Sequence, residues 1–230
     1  MAKNNKILVI SDIHLSKNFK QKKYDALENI IKRADKVIIN GDFWDSWHCT
    51  FDEFIKTKWS GLFPLLLARD TVYLFGNHDP KYRSNNNVSL FSVQTGERFE
   101  YISNGTTYRF EHGHKLLDSS DGFFMRIYDG LMHYFERHSV WLFFLMKSWI
   151  EKAGFVLFGD KVMCESGMTR KRNNRLKKFY KKDWLICGDT HFAEVDHKNK
   201  FANSGCIIHG HLSYLVITNG KIELVNTNTN

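Results

Sequence analysis

The chain has 230 residues, room for one domain with a buried core or one domain carrying an insertion. Its content of 43% hydrophobic and 25% charged residues is that of a folded protein and excludes a disordered one. The formal net charge of +8 points to an acidic partner, whether phosphorylated substrate, nucleic acid or anionic membrane surface, and does not choose among them.

The polar start Met1 to Lys6 precedes only four apolar residues, so no signal peptide is expected. The longest apolar run, Val140 to Met146, is far shorter than the roughly 20 residues of a bilayer span. Cys49, Cys164, Cys187 and Cys206 show no CxxC spacing, and two of them fall in apolar runs, which suits reduced thiols better than a disulfide framework. The expected location is cytoplasmic, with peripheral attachment to the inner membrane face as its extension.

Lys6 to Ile10 predicts a central strand, left at Ser11-Asp12-Ile13-His14. Tyr24, Leu27, Ile30 and Ile31 recur at helical spacing within 20–34, and Val37 to Ile39 form a second buried strand ending at Asn40-Gly41-Asp42. Thr50 to Ala68 reads as helical, broken or kinked by Gly61 and Pro64. Strand Thr71 to Phe75 then leads into Gly76-Asn77-His78-Asp79. Such alternation of strand and helix predicts parallel β-α-β units.

Residues 81–96 read mostly as loop. Phe99 to Ile102 and Thr107 to Phe110 flank Asn104-Gly105, a hairpin signal, and the second strand ends at Glu111-His112-Gly113-His114. Residues 117–182 predict a helical insertion, rich in aromatics and closed by basic residues from Arg170 to Lys182. Strand Trp184 to Cys187 follows, ending at Gly188-Asp189-Thr190-His191. Asn219-Gly220 then predicts a C-terminal hairpin.

Five strand-like runs thus end in hard ligands: Asp12/His14, Asp42/Asp45, Asn77/His78, His112/His114 and Asp189/His191. Turn chemistry accounts for one such end, not for five. Strand alternation with period two predicts that Asp12 and His14 share one face of an extended segment. Carboxylate, imidazole and amide ligands without thiolate suit Mn²⁺ ahead of Fe or Zn²⁺, and Asp42 is the natural anion to bridge two ions.

Asp12-Ile13-His14, Gly41-Asp42-Phe43-Trp44-Asp45, Gly76-Asn77-His78-Asp79, His112 and Gly188-Asp189-Thr190-His191 run in the order seen in the calcineurin-like metallophosphoesterases. The chain resembles that family from residue 6 to about 206, including a late Asn203-Ser204-Gly205. The resemblance implies an α/β fold of two mixed β-sheets sandwiched between helices, here spanning 1–230 with the insertion at 117–182. It implies two divalent ions, one held by Asp12, His14, Asp42 and His191, the other by Asp42, Asn77, His112 and residue 189. It also implies that His78, oriented by Asp45, stabilises the transition state and protonates the leaving oxygen. Asp189 stands where the family has His. It is expected to ligate with an altered metal preference, the alternative being a second site weakened enough to reduce or abolish activity.

Gly41-Asp42-Phe43-Trp44-Asp45 and the placement of the insertion resemble the UDP-2,3-diacylglucosamine hydrolase branch, which cleaves a pyrophosphate in lipid A synthesis. That branch commonly has Arg at the position of His78. The expected substrate is a phosphorylated small molecule or a lipid-linked nucleotide, met at an anionic membrane surface. Arg170, Lys171, Arg172 and Arg175 are the basic candidates to bind it, although such a run is first a solvated helix face. A phosphodiesterase or nuclease, a phosphomonoesterase and a catalytically weak binding scaffold are the alternatives. Asp79 is expected to be a supporting or turn residue, and His209 and His211 structural or surface ones.

Overall fold

The computed structural model describes residues 5–120, 166–208 and 210–228. β1 (Lys6–Ile10), β2 (Lys36–Asn40), β3 (Val72–Leu74) and β4 (Gln94–Gly96) lie parallel in one sheet. β10 (His211–Thr218) and β11 (Lys221–Asn228) extend it antiparallel, for an order β11-β10-β1-β2-β3-β4. The second sheet has the order β5-β6-β7-β9-β8, from β5 (Phe99–Ser103), β6 (Thr106–Phe110), β7 (Trp184–Cys187), β8 (Glu194–Asp196) and β9 (Phe201–Asn203). It joins parallel pairs β6/β7 and β7/β9 to antiparallel pairs β5/β6 and β8/β9, so both sheets are mixed.

The strands' alternation builds the layers. Ile7 and Val9 of β1, Ile38 of β2, and Val72 and Leu74 of β3 face Tyr108, Phe110, Ile186 and Ala202 of the second sheet. From the opposite face, Leu8, Ile10, Val37, Ile39 and Tyr73 pack on Leu27, Ile30 and Ile31 of α1 (Gln21–Lys32). That same core takes in Phe51 and Phe54 of α2 (Phe51–Phe54) and Phe63 and Leu66 of α3 (Phe63–Leu67). On the outer face of the second sheet, Leu185, Cys187 and Phe201 meet α4 (His114–Ser120) through Leu116 and Leu117 and α5 (Gly167–Leu176) through Leu176. Helices therefore cover both outer faces of two stacked sheets, the architecture expected from the sequence.

Both predicted hairpins form, and their turns have positive φ at both central residues, 50° and 72° at Asn104-Gly105 and 51° and 83° at Asn219-Gly220. Asn and Gly tolerate that conformation, which matches the strand twist. The stretch 50–68 is helical and broken, the first of the two expected outcomes, rather than kinked. It divides into α2, a 3-10 turn Lys58–Leu62 that contains Gly61, and α3, whose first turn Pro64 opens. Pro lacks an N–H and is tolerated there. Of the insertion, residues 121–165 lie outside the described residues, as does His209. The flanking α4 starts ahead of residue 117, and α5 carries the first half of the basic run. Among the described residues no helix is long and apolar enough to cross a membrane.

Candidate metal centre

The C-terminal ends of β1, β2, β3, β6 and β7 deliver the predicted ligands to one place. Backbone hydrogen bonds knit the first two loops, with Asp12 N donating to Gly41 O, His14 N to Asp42 O and Asp45 N to Leu15 O, at 3.1, 2.9 and 2.8 Å. Gly188 N donates to His112 O at 2.9 Å, which ties the loop after β7 to that after β6. The expectation that Asp12 and His14 share a face of an extended segment is corrected. Both are left-handed, with φ 52° and 49°, as are Asp42 at 54°, Asp189 at 63° and His191 at 62°. β1 has ended at Ile10, and non-Gly residues enter this region at a cost that the long-range hydrogen bonds offset. The side chains meet because the loops fold back, not because a strand alternates.

Among the described residues, three groups of ionisable side chains have ligand atoms within 4.8 Å of one another: Asp12/His14/His191, His14/Asp45/His78 and Asp12/Asp42/His112. His191 Nε2 lies 3.2 Å from Asp12 Oδ1, and His14 Nε2 lies 3.7 Å from Asp42 Oδ2. His112 Nε2 faces three oxygens, Asn77 Oδ1 at 3.0 Å, Asp42 Oδ2 at 3.3 Å and Asp189 Oδ1 at 3.8 Å. His114 opens α4 with its ring 5.4 Å from that of His112 and belongs to none of the groups. Of the two histidines, His112 is the one the fold brings to the carboxylates.

These atoms ask for cations. Asp12 Oδ1 and His14 Nε2 are buried without a hydrogen-bond partner. His112 Nδ1 faces the Asn40 carbonyl at 2.8 Å and must donate to it, which leaves the Nε2 lone pair among oxygen acceptors. A proton or a metal ion relieves that arrangement at the carboxylates of Asp42 and Asp189, so the donor set fits divalent ions.

The electrostatics agree. Burial alone would raise Asp42, but His112 and then His78 draw its carboxyl well below the usual range. Asp12 is likewise lowered, by His191 and then His112 against burial, and Asp45 by its contacts to His14 and His78 against burial. Burial and the neighbouring His78 lower His14, which favours the neutral imidazole that a metal ion would require. His112 goes the other way: against burial, Asp42 and Asp12 raise it well above the ordinary imidazole value. In the metal-free chain its imidazolium stabilises the fold fully below its unfolded value of about 6.5, and that contribution is lost as pH rises through the raised value. An ion binding at His112 near pH 7 must therefore displace a proton. Calorimetric titration with Mn²⁺ in two buffers of different ionisation enthalpy is expected to show that release, and none at all would remove His112 from the ligand set.

Asp79 holds the centre together. Its buried carboxylate accepts from the backbone N–H of Asp42 at 3.0 Å, Phe43 at 2.7 Å and Gly76 at 2.7 Å, joining the loops after β2 and β3. Gly76 is required by close approach, since a Cβ there would collide with Asp42 Oδ1. His78 places Nδ1 3.4 Å from Asp45 Oδ1, donates its backbone N–H to Asp42 Oδ1 at 2.9 Å, and lies under the Trp47 ring at 3.7 Å between centroids.

Several participants carry no signal in sequence. Trp47 is one. Ser11 Oγ donates to Asp12 Oδ2 and lies 2.7 Å from Ser204 Oγ. Buried Asn173 of α5 binds Thr190, Asn203, Glu194 and the Phe192 carbonyl, locking the helix to the β7 loop. Of the basic candidates, Arg170 lies over the Phe192 ring at 5.3 Å and Arg172 pairs with Asp189 at 2.7 Å. Lys171 is exposed and Arg175 half-buried on the same helix.

A family model described as calcineurin-like phosphoesterase matches residues 5–193. Similar solved structures include YfcE, a phosphoesterase of E. coli, at 14% identity and TM-score 0.45, covering 98% of this chain and 100% of that one. A novel archaeal phosphodiesterase has 14% identity and TM-score 0.45 over 96% of this chain and 99% of its own. Wild-type Vps29 of Entamoeba histolytica, complexed with Zn²⁺, has 14% identity and TM-score 0.44 over 98% and 99%. No curated protein matches the chain.

Proposed function

The chain belongs to the calcineurin-like phosphoesterase family and is a phosphoester hydrolase, and we propose that it works with two divalent ions on a nucleotide-linked, amphiphilic pyrophosphate of the UDP-2,3-diacylglucosamine kind. The observation that carries the metal dependence is His112 Nε2 facing the oxygens of Asn77, Asp42 and Asp189, beside Asp12 Oδ1 and His14 Nε2, which are buried and make no hydrogen bond. Asp12, His14, Asp42 and His191 would hold one ion, and Asp42, Asn77, His112 and Asp189 the other, with Mn²⁺ suited by the hard donors ahead of Fe or Zn²⁺. Divalent ions there supply Lewis acidity that activates water near neutral pH and offsets phosphoryl charge.

The chain's own groups do the rest. Asp45 faces His78 Nδ1 and His14 Nδ1, at 3.4 and 3.7 Å, and so orients both rings. With Nδ1 given to Asp45, His78 has Nε2 to hand a proton to the leaving oxygen, and the carboxylate stabilises the imidazolium form. Trp47 limits the swing of that ring by lying against it. The substrate class rests on the resemblance of the Gly41 to Asp45 loop and on the exposed basic residues of α5 near the centre, which suit an anionic headgroup and an anionic leaflet at the cytoplasmic face.

Mn²⁺-dependent hydrolysis of bis-p-nitrophenyl phosphate tests the reaction, and release of UMP from UDP-2,3-diacylglucosamine tests the substrate. Turnover of the first without the second would pass the substrate to a phosphodiesterase, nuclease or phosphomonoesterase reading. No turnover and no bound metal would leave a binding scaffold. His78→Gln is expected to lower kcat by roughly 10²–10⁴-fold with metal content unchanged, as loss of a general acid does. Metal analysis beside the kinetics checks it, and a kcat within a few-fold of wild type would take His78 out of the proton transfer.

A further inference from the structure

The two proposed metal positions are not alike. At the first, Asp12, His14 and His191 already bring their ligand atoms within 4.8 Å of one another, and at the second Asp42 and His112 do so together with Asp12. Asp189 belongs to no such cluster among the described residues. Its buried carboxylate is divided: Oδ2 lies 2.7 Å from an Arg172 guanidinium nitrogen, and Oδ1 lies 3.8 Å from His112 Nε2. Its backbone N–H donates to Asp12 Oδ2 at 3.0 Å, which fixes the main chain from which the carboxylate projects.

Arg172 is held there by the fold. The next residue, Asn173, is buried and donates to the Phe192 carbonyl and to Glu194 Oε2, both at 3.0 Å, while accepting from Thr190 Oγ1 at 2.6 Å. One turn on, Lys177 pairs with Glu194 at 2.5 Å and Asp196 at 3.0 Å. The helix and the loop bearing Asp189 are thus one unit, which keeps Arg172 within reach of the Asp189 carboxylate. Asp12, Asp42 and Asp189 would otherwise concentrate three carboxylates at one spot.

We propose that Arg172 is a positioning residue and counter-charge for the second metal position: it clamps Asp189 Oδ2, leaves Oδ1 as the one oxygen turned to the centre, and makes the second ion bind more weakly than the first. This rests on the metal-dependent reading above and adds a regulation to it, because occupancy of the second position, and with it turnover, then follows the free divalent-ion concentration. A fixed positive charge next to a carboxylate ligand both occupies one oxygen and repels an incoming cation. Removing the charge while keeping a hydrogen-bond donor tightens the site. Arg172 is on the exposed face of α5, so its replacement leaves the core untouched.

The test is stepwise Mn²⁺ binding to the full chain, wild type, Arg172→Gln and Arg172→Lys, followed by calorimetry and by Mn²⁺ electron paramagnetic resonance. Wild type is expected to bind two ions with separated affinities. Arg172→Gln is expected to tighten the weaker step by about tenfold or more, with the stronger step moving far less, and Arg172→Lys to stay near wild type. A role confined to helix packing would not tighten binding. If the weaker step is unchanged or weakened in Arg172→Gln, or Arg172→Lys tightens it equally, the inference fails while the metal centre stands. If neither wild type nor variants bind a divalent ion, the metal centre fails and takes the inference with it.

Discussion

Asp42→Asn is expected to abolish most Mn²⁺-dependent hydrolysis, lowering turnover by roughly 10²–10³-fold or more, the loss that follows removal of one preorganised electrostatic group. The position is not interchangeable with its neighbours. Asp42 Oδ2 lies between His112 Nε2 at 3.3 Å and His14 Nε2 at 3.7 Å, within reach of ligands proposed for both positions. An amide there presents either a neutral oxygen or an N–H aimed at both imidazoles. The other oxygen, Oδ1, accepts the His78 backbone N–H at 2.9 Å, and Asn can preserve that bond. The substitution is therefore expected to leave a folded protein with weakened binding at both positions. Metal analysis after dialysis, with kinetics on bis-p-nitrophenyl phosphate, checks it. Turnover within tenfold of wild type and full metal content would show that Asp42 is not the bridge.

Asp79→Ala is expected to have the largest effect on stability of any single change near the centre. It would leave the backbone N–H groups of Asp42, Phe43 and Gly76 without their acceptor in a fully buried place. Each unsatisfied buried donor costs about 1–3 kcal/mol, so a loss on the order of 3–5 kcal/mol follows even if a water enters to relieve one. That is a large fraction of the stability of an ordinary domain. The same three bonds hold the loops after β2 and β3 in register, so metal binding should fall with stability. Denaturant unfolding of the metal-free variant measures the first effect separately from the second. A loss under about 1 kcal/mol would mean that the three donors find other partners, and that Asp79 is not the clasp of the two loops.

Asp79 also shows how far a linear reading reaches. From sequence it is a polar residue in a turn, with a supporting role assigned by position alone. Its importance comes from Asp42 and Phe43, which are 37 and 36 residues away along the chain. Arg172 is a stronger case. Within a basic run it is indistinguishable from Arg170, Lys171 and Arg175, and only the docking of α5 on the β7 loop, through Asn173, brings it to Asp189. His112 and His114 are equal candidates by composition. Burial of the first among Asn77, Asp42 and Asp189 separates them.

What the sequence determined by itself is the set of parts and their order. The runs at 6–10, 37–39, 71–75, 107–110 and 184–187 are strands because β-branched, aromatic and other apolar residues dominate them, and each ends in ligands because the chain there leaves the core. Asn-Gly pairs set both hairpin turns for local steric reasons that need no tertiary context. What only the tertiary structure decided is the conformation and pairing at those ends. Asp12, His14, Asp42, Asp189 and His191 take left-handed backbones that local preference disfavours, and the hydrogen bonds between loops hold them there. Residue type and spacing are properties of the chain; which oxygen meets which nitrogen is a property of two sheets packed together, where a shift of one ångström separates a ligand from a bystander.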